Sequence, residues 1–278
     1  MQAMGVEWNA KETSISNALQ NTDEEVSLFG LNISEEERSH DLLETKLAEG
    51  MLFQVEVPPP RKIDWRDHEN CSWVTSVKNQ KNCGSCVSFA TCASLEARAR
   101  IKEQDCRLDI DLSEAHLFFC GAGQACNKGW NFAPAMAQCK NVGVGAESMF
   151  PYIPRNQACK QIPSIVKIDG HKTSASMLAR MKSIADSGPV IAGIKVYEDF
   201  YYYGGGVYRH VSGAFKGLHA VCVVGYDDEK DFWIVKNSWG TNWGDQGYVY
   251  IAFGECGIDS AYPFYDPNVV YLGGSPIN

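Results

Sequence analysis

The chain has 278 residues, 45% of them hydrophobic, and a formal net charge of −9 at pH 7. This length can bury one large core or two lobes around a cleft. The acidic balance and the absence of a basic cluster argue against nucleic acid as a partner, because phosphates would be repelled. No apolar run of roughly 18 residues occurs, so the sequence predicts no membrane-spanning segment.

Residues 1–62 differ in composition from the rest of the chain. They are rich in Glu, Ser and Asn and end near a stiff run of three prolines at 58–60. Ser34 and Glu37 form a capping-box pattern for a helix that runs to about residue 49. The run 22–25, Thr-Asp-Glu-Glu, predicts a second, shorter helix in the same way. A disordered acidic tail is the alternative interpretation.

The segment 80–86, Gln-Lys-Asn-Cys-Gly-Ser-Cys, places a cysteine at the start of an amphipathic run. The apolar positions after Cys86 predict a buried helix to about residue 104. Free N–H groups and the helix dipole stabilise an anion at a helix N-terminus, so we expect the pKa of Cys86 to lie well below the ~8.5 of a free thiol. Taken alone, a cysteine in a cysteine-rich chain is more often half of a disulfide.

Two later segments supply partners for a thiolate. His219 lies 133 residues after Cys86, on the apolar run 218–226, which predicts a strand. Asn237 follows a second predicted strand at 232–235 and offers an amide that can orient an imidazole. A lone histidine on a strand is more often a core residue, but the order Cys, His, Asn is typical of nucleophilic catalysis.

These motifs resemble those of papain-family (cathepsin-like) cysteine peptidases, and the match runs from about residue 64 to residue 265. It includes Cys-Gly-Ser-Cys at 83–86, Leu-Ser-Glu at 112–114 and Cys-Gly-Ile at 256–258, together with the spacing to the later His and Asn. The resemblance implies an α+β, papain-like two-lobe fold with the active-site cleft between the lobes.

Within that fold we expect a peptidase domain at 63–278. Its helical lobe would cover about 75–170 and its β-barrel-like antiparallel sheet lobe about 171–265, with exchanged terminal segments. Residues 1–62 resemble the short inhibitory prosegments of cathepsin B-like enzymes, which cross the cleft in the non-productive direction. We therefore interpret the chain as a zymogen whose own prosegment is a partner of the cleft.

The resemblance assigns four catalytic roles. Cys86 is the nucleophile, His219 is the base towards the thiol and the acid towards the leaving amine, and Asn237 holds the ring. Gln80 forms the oxyanion hole together with the backbone N–H of Cys86. No cofactor is implied, and metal is not expected because the C-x-x-C at 83–86 has no second pair to complete a zinc site.

Uncharged positions are carried over as the substrate-binding residues: Gly129, Trp130, Asn131, Gly193, Gly217, Leu218, Ala261 and Trp239. By the resemblance, five of them line the pocket for the residue two positions before the scissile bond: Trp130, Asn131, Gly193, Gly217 and Ala261. None of the five is charged, so we expect a peptide or protein substrate with a hydrophobic residue there. The cathepsin B feature that blocks the cleft, a long insertion with two histidines, is missing between Cys126 and Phe150, which favours an endopeptidase. The stretch 201–206 is expected to form a turn. Its aromatic side chains are expected to pack in the core or on the surface of the lobe, with contact to the substrate as the alternative.

Three positions depart from the family pattern. Val87 replaces a tryptophan, and Lys81 and Lys128 replace glycines. None of them removes a catalytic group. Lys128 lies close to the place where the family binds the substrate backbone, so we expect it to narrow the cleft or to attract an acidic side chain.

The 11 cysteines are too many for a reducing cytosol. The resemblance pairs Cys83 with Cys126 and Cys120 with Cys159, and the pair Cys71 and Cys106 resembles an additional bridge of the cathepsin B-like branch. Four further cysteines are expected to be free: Cys92, Cys139, Cys222 and Cys256. We expect a secreted, periplasmic or lysosome-like protein, although residues 1–8 lack a signal-peptide pattern.

Two other functions remain open at this point. The same Cys-His-Asn site can pass the acyl group to an amine, which gives a transpeptidase or peptide ligase. The fold can also serve as a non-catalytic protein that binds a peptide or a small ligand. Retention of all four catalytic positions argues against a non-catalytic binding protein, and we favour hydrolysis over transfer to an amine. We expect a monomer.

Overall fold

The structure is a computed structural model that describes residues 8–20, 28–50, 57–123 and 125–273. Its α-helices are α1 (Ser14–Gln20), α2 (Glu35–Gly50), α3 (Cys86–Glu103), α4 (Phe132–Asn141) and α5 (Met177–Ser187). A π-helix spans His116–Ala122, and 3-10 helices span Glu147–Met149, Glu198–Tyr202 and Glu255–Gly257. In the described part of the chain, no helix has the length and apolar character needed to cross a membrane.

The strands are β1 (Trp8–Ala10), β2 (Lys62–Asp64), β3 (Val166–Ser174), β4 (Val190–Tyr197), β5 (Tyr203–Tyr208), β6 (Phe215–Asp227), β7 (Phe232–Lys236), β8 (Tyr248–Ala252) and β9 (Phe264–Tyr271). They form one sheet in the order β1-β5-β8-β7-β6-β4-β9-β3, and β2 pairs with β6. The pair β5 and β8 is parallel. The other strand pairs among the described residues are antiparallel, so the expected antiparallel sheet lobe is confirmed apart from this one pair.

Two hydrophobic cores give the molecule its α+β, two-lobe architecture. One core surrounds α3, α4 and the π-helix and includes Leu95, Phe118 and Phe132. The other lies in the sheet lobe and includes Trp233 and Val235. Helix α3 is buried on nearly all sides from Cys86 to Ala99, so the helix that carries Cys86 is held in the core from its first turn.

The expected turn at 201–206 is wrong. The 3-10 helix Glu198–Tyr202 leads directly into β5, because the backbone of β5 has strand partners on both sides: β8 on one side and β1 on the other. Trp8 of β1 is buried against Tyr203 and Tyr208, with ring centroids 6.2 and 5.3 Å away. The N-terminal segment thus extends the sheet of the peptidase domain.

The capping box predicted for α2 is confirmed. The backbone N–H of Glu37 donates to Ser34 Oγ at 3.1 Å, and the backbone N–H of Ser34 donates to Glu37 Oε2 at 2.9 Å. The helix ends at Gly50, one residue beyond the predicted end. The shorter helix predicted from the run 22–25 lies outside the described residues.

Three disulfides are present, and all belong to the first half of the peptidase domain. They join Cys71 to Cys106, Cys83 to Cys126 and Cys120 to Cys159, which are the pairs that the family resemblance implies. The other cysteines are free and buried: Cys86, Cys92, Cys139, Cys222 and Cys256.

Candidate active site

Cys86 is the first residue of α3, and its side chain is 0% exposed. The loop before it is fixed by the disulfide from Cys83 to Cys126 and by a 2.6 Å hydrogen bond from Gly84 N–H to the Cys126 carbonyl. The sulfur accepts a hydrogen bond from the backbone N–H of Ala220 on β6, at 3.4 Å. The N-terminus of α3 and strand β6 therefore meet at the sulfur of Cys86.

His219 and Asn237 are brought together by the pairing of β6 with β7, because Asn237 directly follows β7. His219 Nε2 donates to Asn237 Oδ1 at 2.8 Å. The backbone N–H of Ser238 donates to the same oxygen at 2.8 Å, which fixes the orientation of the amide and so the ring tautomer. His219 Nδ1 is buried and has no hydrogen-bond partner within the described ranges. That nitrogen is the one left to accept a proton.

Trp239 shields the imidazole from water. Its ring is fully buried, with its centroid 5.0 Å from that of His219. Burial lowers the pKa of His219 to about 4, and the hydrogen bond with Asn237 opposes this shift only in part. The imidazole is therefore neutral over most of the physiological pH range.

Gln80 is held by contacts from several segments. Its Nε2 donates to the Cys83 carbonyl at 2.8 Å and to the Leu28 carbonyl at 3.2 Å, and its Oε1 accepts from Ser238 Oγ at 2.6 Å. The hydroxyl of Tyr152 donates to the Gln80 carbonyl at 2.8 Å. Neither Ser238 nor Tyr152 was predicted from the sequence. The adjacency of Ser238 to Asn237 was an available signal, but no spacing links residue 152 to the site.

Residues 28–33 lie across the groove above Cys86. Trp130 N–H donates to the Gly30 carbonyl at 2.5 Å, and Asn32 N–H donates to the Trp130 carbonyl at 2.9 Å. Leu31 and Trp130 are paired in parallel. Gly30 is packed against the backbones of Gly84 and Gly129 so closely that a Cβ on Gly30 would overlap the Gly84 carbonyl. The crossing thus depends on backbone fit.

Most of the expected substrate-binding positions lie around two side chains of this crossing. Leu31 belongs to the same buried cluster as Trp130 and Ala261, and a Cβ at Gly193 would lie 2.9 Å from Leu31 Cδ2. Tyr262, which was not predicted from the sequence, lies at the same place, since a Cβ at Gly193 would also lie 2.5 Å from Tyr262 Cδ2.

The second side chain is Phe29, which packs next to Gly217 and the ring of His219. Gly217 was expected in the pocket for the residue two before the scissile bond, but the three atoms nearest to a Cβ built there all belong to Phe29. Trp239 stands behind that imidazole, and Leu218 is half-buried in the strand between Gly217 and His219. Two expected positions lie on the opposite wall: Gly129, beneath Gly30, and Asn131, at the N-cap of α4.

The expectation of a low pKa for Cys86 is wrong for the covered site. Burial raises the pKa of this thiol to about 11, and hydrogen bonds from the backbone N–H groups of Ala220, Gly30 and Val87 and from its own N–H lower it only in part. The helix N-terminus favours the anion as argued, but removal of water outweighs it. With the neutral imidazole, the pair is uncharged near neutral pH.

Comparison with known proteins places the chain in context. The model of the papain family cysteine protease matches residues 59–265. Ananain from Ananas comosus is 34% identical over 218 residues, covering 73% of this chain and 61% of ananain. Human cathepsin L2 is 35% identical over 244 residues, covering 81% of this chain and 71% of cathepsin L2. The chain therefore spans about three fifths of the length of ananain.

Solved structures give the same answer for the fold. Digestive procathepsin L2 from the larval midgut of Tenebrio molitor aligns with a TM-score of 0.76 at 29% identity, covering 95% of this chain and 84% of that one. The bromelain protease from Ananas comosus, in complex with the E64 inhibitor, aligns with a TM-score of 0.65 at 32% identity, covering 75% and 99%. The assignment to the cathepsin B-like branch stays a prediction.

Proposed function

Because the chain belongs to the papain family of cysteine proteases, we propose that it is a cysteine endopeptidase held as a zymogen by its N-terminal segment. The proposed site is Cys86, His219 and Asn237, with Gln80 as an oxyanion donor. One observation carries the proposal: the Leu28 carbonyl occupies the amide of Gln80, and Gly30 lies directly over the sulfur. The N-terminal segment thus occupies the atoms that a substrate would need.

The first half of the reaction forms a thioester. Once the groove is open, the Cys86 proton passes to His219 Nδ1, the buried nitrogen that has no partner in the described structure. The sulfur then attacks the peptide carbonyl carbon, and the oxygen takes the negative charge. Gln80 Nε2 and the Cys86 N–H donate to that oxygen, a kind of contact whose loss typically lowers kcat about a hundredfold or more. Collapse breaks the C–N bond as His219 gives its proton to the leaving amine.

The second half of the reaction releases the acid. A water molecule gives a proton to His219 Nδ1 and its oxygen attacks the thioester carbon. Collapse breaks the C–S bond, and the sulfur leaves as a thiolate beside the imidazolium. Asn237 keeps the ring oriented through both halves, because its Oδ1 accepts from Nε2 whether or not Nδ1 carries a proton.

Latency follows from the position of residues 28–33. They exclude a substrate from the groove, and the burial that they complete keeps the thiol protonated. The boundary between prosegment and peptidase is open to cleavage, because Val57 is 83% exposed and stands just before the prolines. We place the activating cut in this region, between α2 and β2.

The described contacts also support a proposal for the substrate preference and one for the cellular compartment. The cluster around Leu31 supports a hydrophobic residue two positions before the scissile bond. The three disulfides, like those of secreted proteins, support a secreted or lysosome-like compartment.

A cleavable chain tests the proposal. A recognition site for a specific protease is inserted after Val57, the protein is purified intact, and the cut is made after folding. Hydrolysis of a fluorogenic peptide with leucine two positions before the scissile bond should rise at least a hundredfold after the N-terminal segment is washed away. The variant Cys86→Ala, cut in the same way, should remain inactive.

Mass spectrometry of the products, with and without an added amine, identifies the acyl acceptor. Free acid as the main product supports a hydrolase, whereas amide as the main product replaces it with a transpeptidase. A cut and separated chain that cleaves no peptide and whose Cys86 is not alkylated by iodoacetamide would overturn the proposal.

A further inference from the structure

We propose that the cleft carries a pocket for an aromatic side chain on its leaving-group side, so that the mature enzyme prefers Phe or Tyr directly after the scissile bond. The pocket is formed by Tyr201, Gly217, His219 and Trp239. This inference rests on the proposed function, since it names part of the substrate of the same site. It concerns the residue after the cut, whereas the Leu31 pocket concerns a residue before it.

The prosegment supplies a side chain that already fills this pocket. The ring of Phe29 lies 6.3 Å from that of Tyr201, tilted by 30°, and 6.4 Å from that of His219 in an edge-on arrangement. Tyr201 lies against Trp239 at 6.0 Å, so the aromatic wall is continuous. Both separations of Phe29 fall in the range in which aromatic rings attract each other beyond simple burial.

The order of the crossing tells which side of the sulfur this pocket is on. Gly30 lies over Cys86, and Leu31 enters the pocket with Trp130 that the family resemblance assigns to the residue two before the scissile bond. Phe29 therefore lies on the opposite side of Cys86, next to the imidazole. His219 gives its proton to the departing amine, so the side that it occupies is the leaving-group side.

Gly217 makes room for the ring. A Cβ built at this position would lie 2.8 Å from two atoms of the Phe29 ring, a distance that real Cβ atoms essentially never show. Its φ is not among the left-handed values found at other glycines of the chain, so the backbone of β6 does not itself require glycine here. Gly217 is paired with Val196 on β4, which limits any shift of the strand. Glycine at position 217 is therefore needed to leave room for the Phe29 ring, and not for its backbone conformation.

The ring of Tyr201 is the part of the pocket that distinguishes an aromatic substrate side chain from an aliphatic one. This ring packs against that of Trp239 at 6.0 Å, a contact that does not involve the N-terminal segment, so the ring is held in place before a substrate binds. A ring seated between Tyr201 and the imidazole edge buries its faces and gains the attraction between aromatic rings. We expect a preference of about tenfold in kcat/KM for Phe over Ala at this position.

The test uses the enzyme cut after Val57 and four quenched fluorescent peptides. All carry leucine two positions before the scissile bond and differ only in the next residue after it: Phe, Leu, Ala or Asp. In the unaltered enzyme the Phe to Ala ratio of kcat/KM should be about ten. Gly217→Ala should bring this ratio close to one. The matched control is Gly170→Ala, which adds the same methyl group to strand β3 where nothing lies within 4 Å, and it should keep the ratio.

Each outcome has one meaning. Equal kcat/KM for the Phe and Ala peptides in the unaltered enzyme overturns the pocket, as does a ratio that survives in Gly217→Ala. If Gly217→Ala does not fold, Tyr201→Leu decides instead, because it keeps bulk but removes the ring and should lower the ratio severalfold. Failure to cut any of the four peptides refutes the proposed function itself, and the pocket with it.

Discussion

Residues 28–33 and α2 hold the same peptidase domain in opposite ways. The crossing at 28–33 attaches through backbone hydrogen bonds and through glycine packed on glycine, with Leu31 in an apolar pocket. Helix α2 attaches through polar side chains. Asp41 accepts from the Tyr265 hydroxyl at 2.6 Å, and Glu49 accepts from Ala175 N–H at 2.6 Å.

The outer face of α2 sharpens the contrast. Leu43 and Leu47 point away from the domain and are each 58% exposed, whereas the docked face presents Asp41, Thr45 and Glu49. A helix that docks for stability usually turns its apolar side inward. The contact of residues 28–33 therefore depends on close packing of the backbone, whereas that of α2 depends on polar and charged side chains. Each contact can be broken separately.

The largest expected effect is the change in stability with pH that is caused by the buried side chains of His219 and Cys86. In the covered molecule the pKa of His219 is lowered to about 4, against about 6.5 for a free ring. The unfolded chain therefore binds a proton between these values that the folded chain does not, so stability is lost as pH falls from about 6.5 towards 4. A difference of this size corresponds to at most about 3 kcal/mol.

Urea unfolding of the intact chain and of His219→Gln at pH 7 and pH 4 measures this term. The difference in unfolding free energy between the two proteins should shrink by up to about 3 kcal/mol at the lower pH, because the glutamine cannot take up a proton. A pH-independent difference would contradict the buried, neutral imidazole.

At alkaline pH, Cys86 should also make stability depend on pH. Because burial raises the pKa of its thiol to about 11, the unfolded chain loses this proton at a lower pH than the folded chain, and stability falls as pH rises above about 9. Cys86→Ala should therefore lose less stability than the parent in this range.

The next effect comes from breaking the backbone fit. Gly30→Ala places a methyl group on the Gly84 carbonyl, so the crossing must lift. Overpacking of this kind costs roughly 1–3 kcal/mol. Alkylation of Cys86 by iodoacetamide in the intact chain, followed by mass spectrometry, should become about ten- to a hundredfold faster. Gly50→Ala is the control within the same segment, since nothing lies within 4 Å of a Cβ there, and it should leave the rate unchanged.

Weakening the contact of Glu49 with α5 should raise the alkylation rate of Cys86 less than Gly30→Ala does. Glu49 caps the N-terminus of α5 by accepting from Ala175 and Ser176, and a charge in such a position contributes about 0.3–1 kcal/mol. Glu49→Gln should therefore raise the alkylation rate of Cys86 only two- to fivefold, and 0.5 M salt should reduce the difference. Glu44→Gln removes an exposed carboxylate from the same helix and serves as the control. An effect equal to that of Gly30→Ala would erase the distinction between the two attachments.

Local patterns predicted the elements that carry the site. Helix α3 follows the predicted helix closely, and β6 and β7 contain the predicted strands 218–226 and 232–235. Apolar periodicity determines such elements within a short window, so one sequence suffices. Ser34 and Glu37 made the start of α2 readable for the same reason.

Features that depend on distant parts of the chain were not predictable. The pKa of Cys86 is set by burial beneath residues more than fifty positions earlier in the sequence, and no local pattern reports that burial. Strand β5 forms because β1, far earlier in the chain, and β8, later in the chain, both pair with it. Tyr152 reaches Gln80 through the tertiary fold alone. Sequence periodicity contains none of these contacts.

The smallest expected effect concerns Lys128, at the edge of the crossing. Its carbonyl accepts a hydrogen bond from Asn32 Nδ2, and its side chain is exposed beside Gly129. An exposed charge attracts an acidic substrate side chain by no more than about 1 kcal/mol. In the cut enzyme, Lys128→Gly should therefore lower the preference for peptides with Asp or Glu near the Asn32 position by two- to fivefold. Lys81→Gly removes another exposed lysine as a control, and identical cleavage profiles for Lys128→Gly and the parent would remove Lys128 from substrate selection.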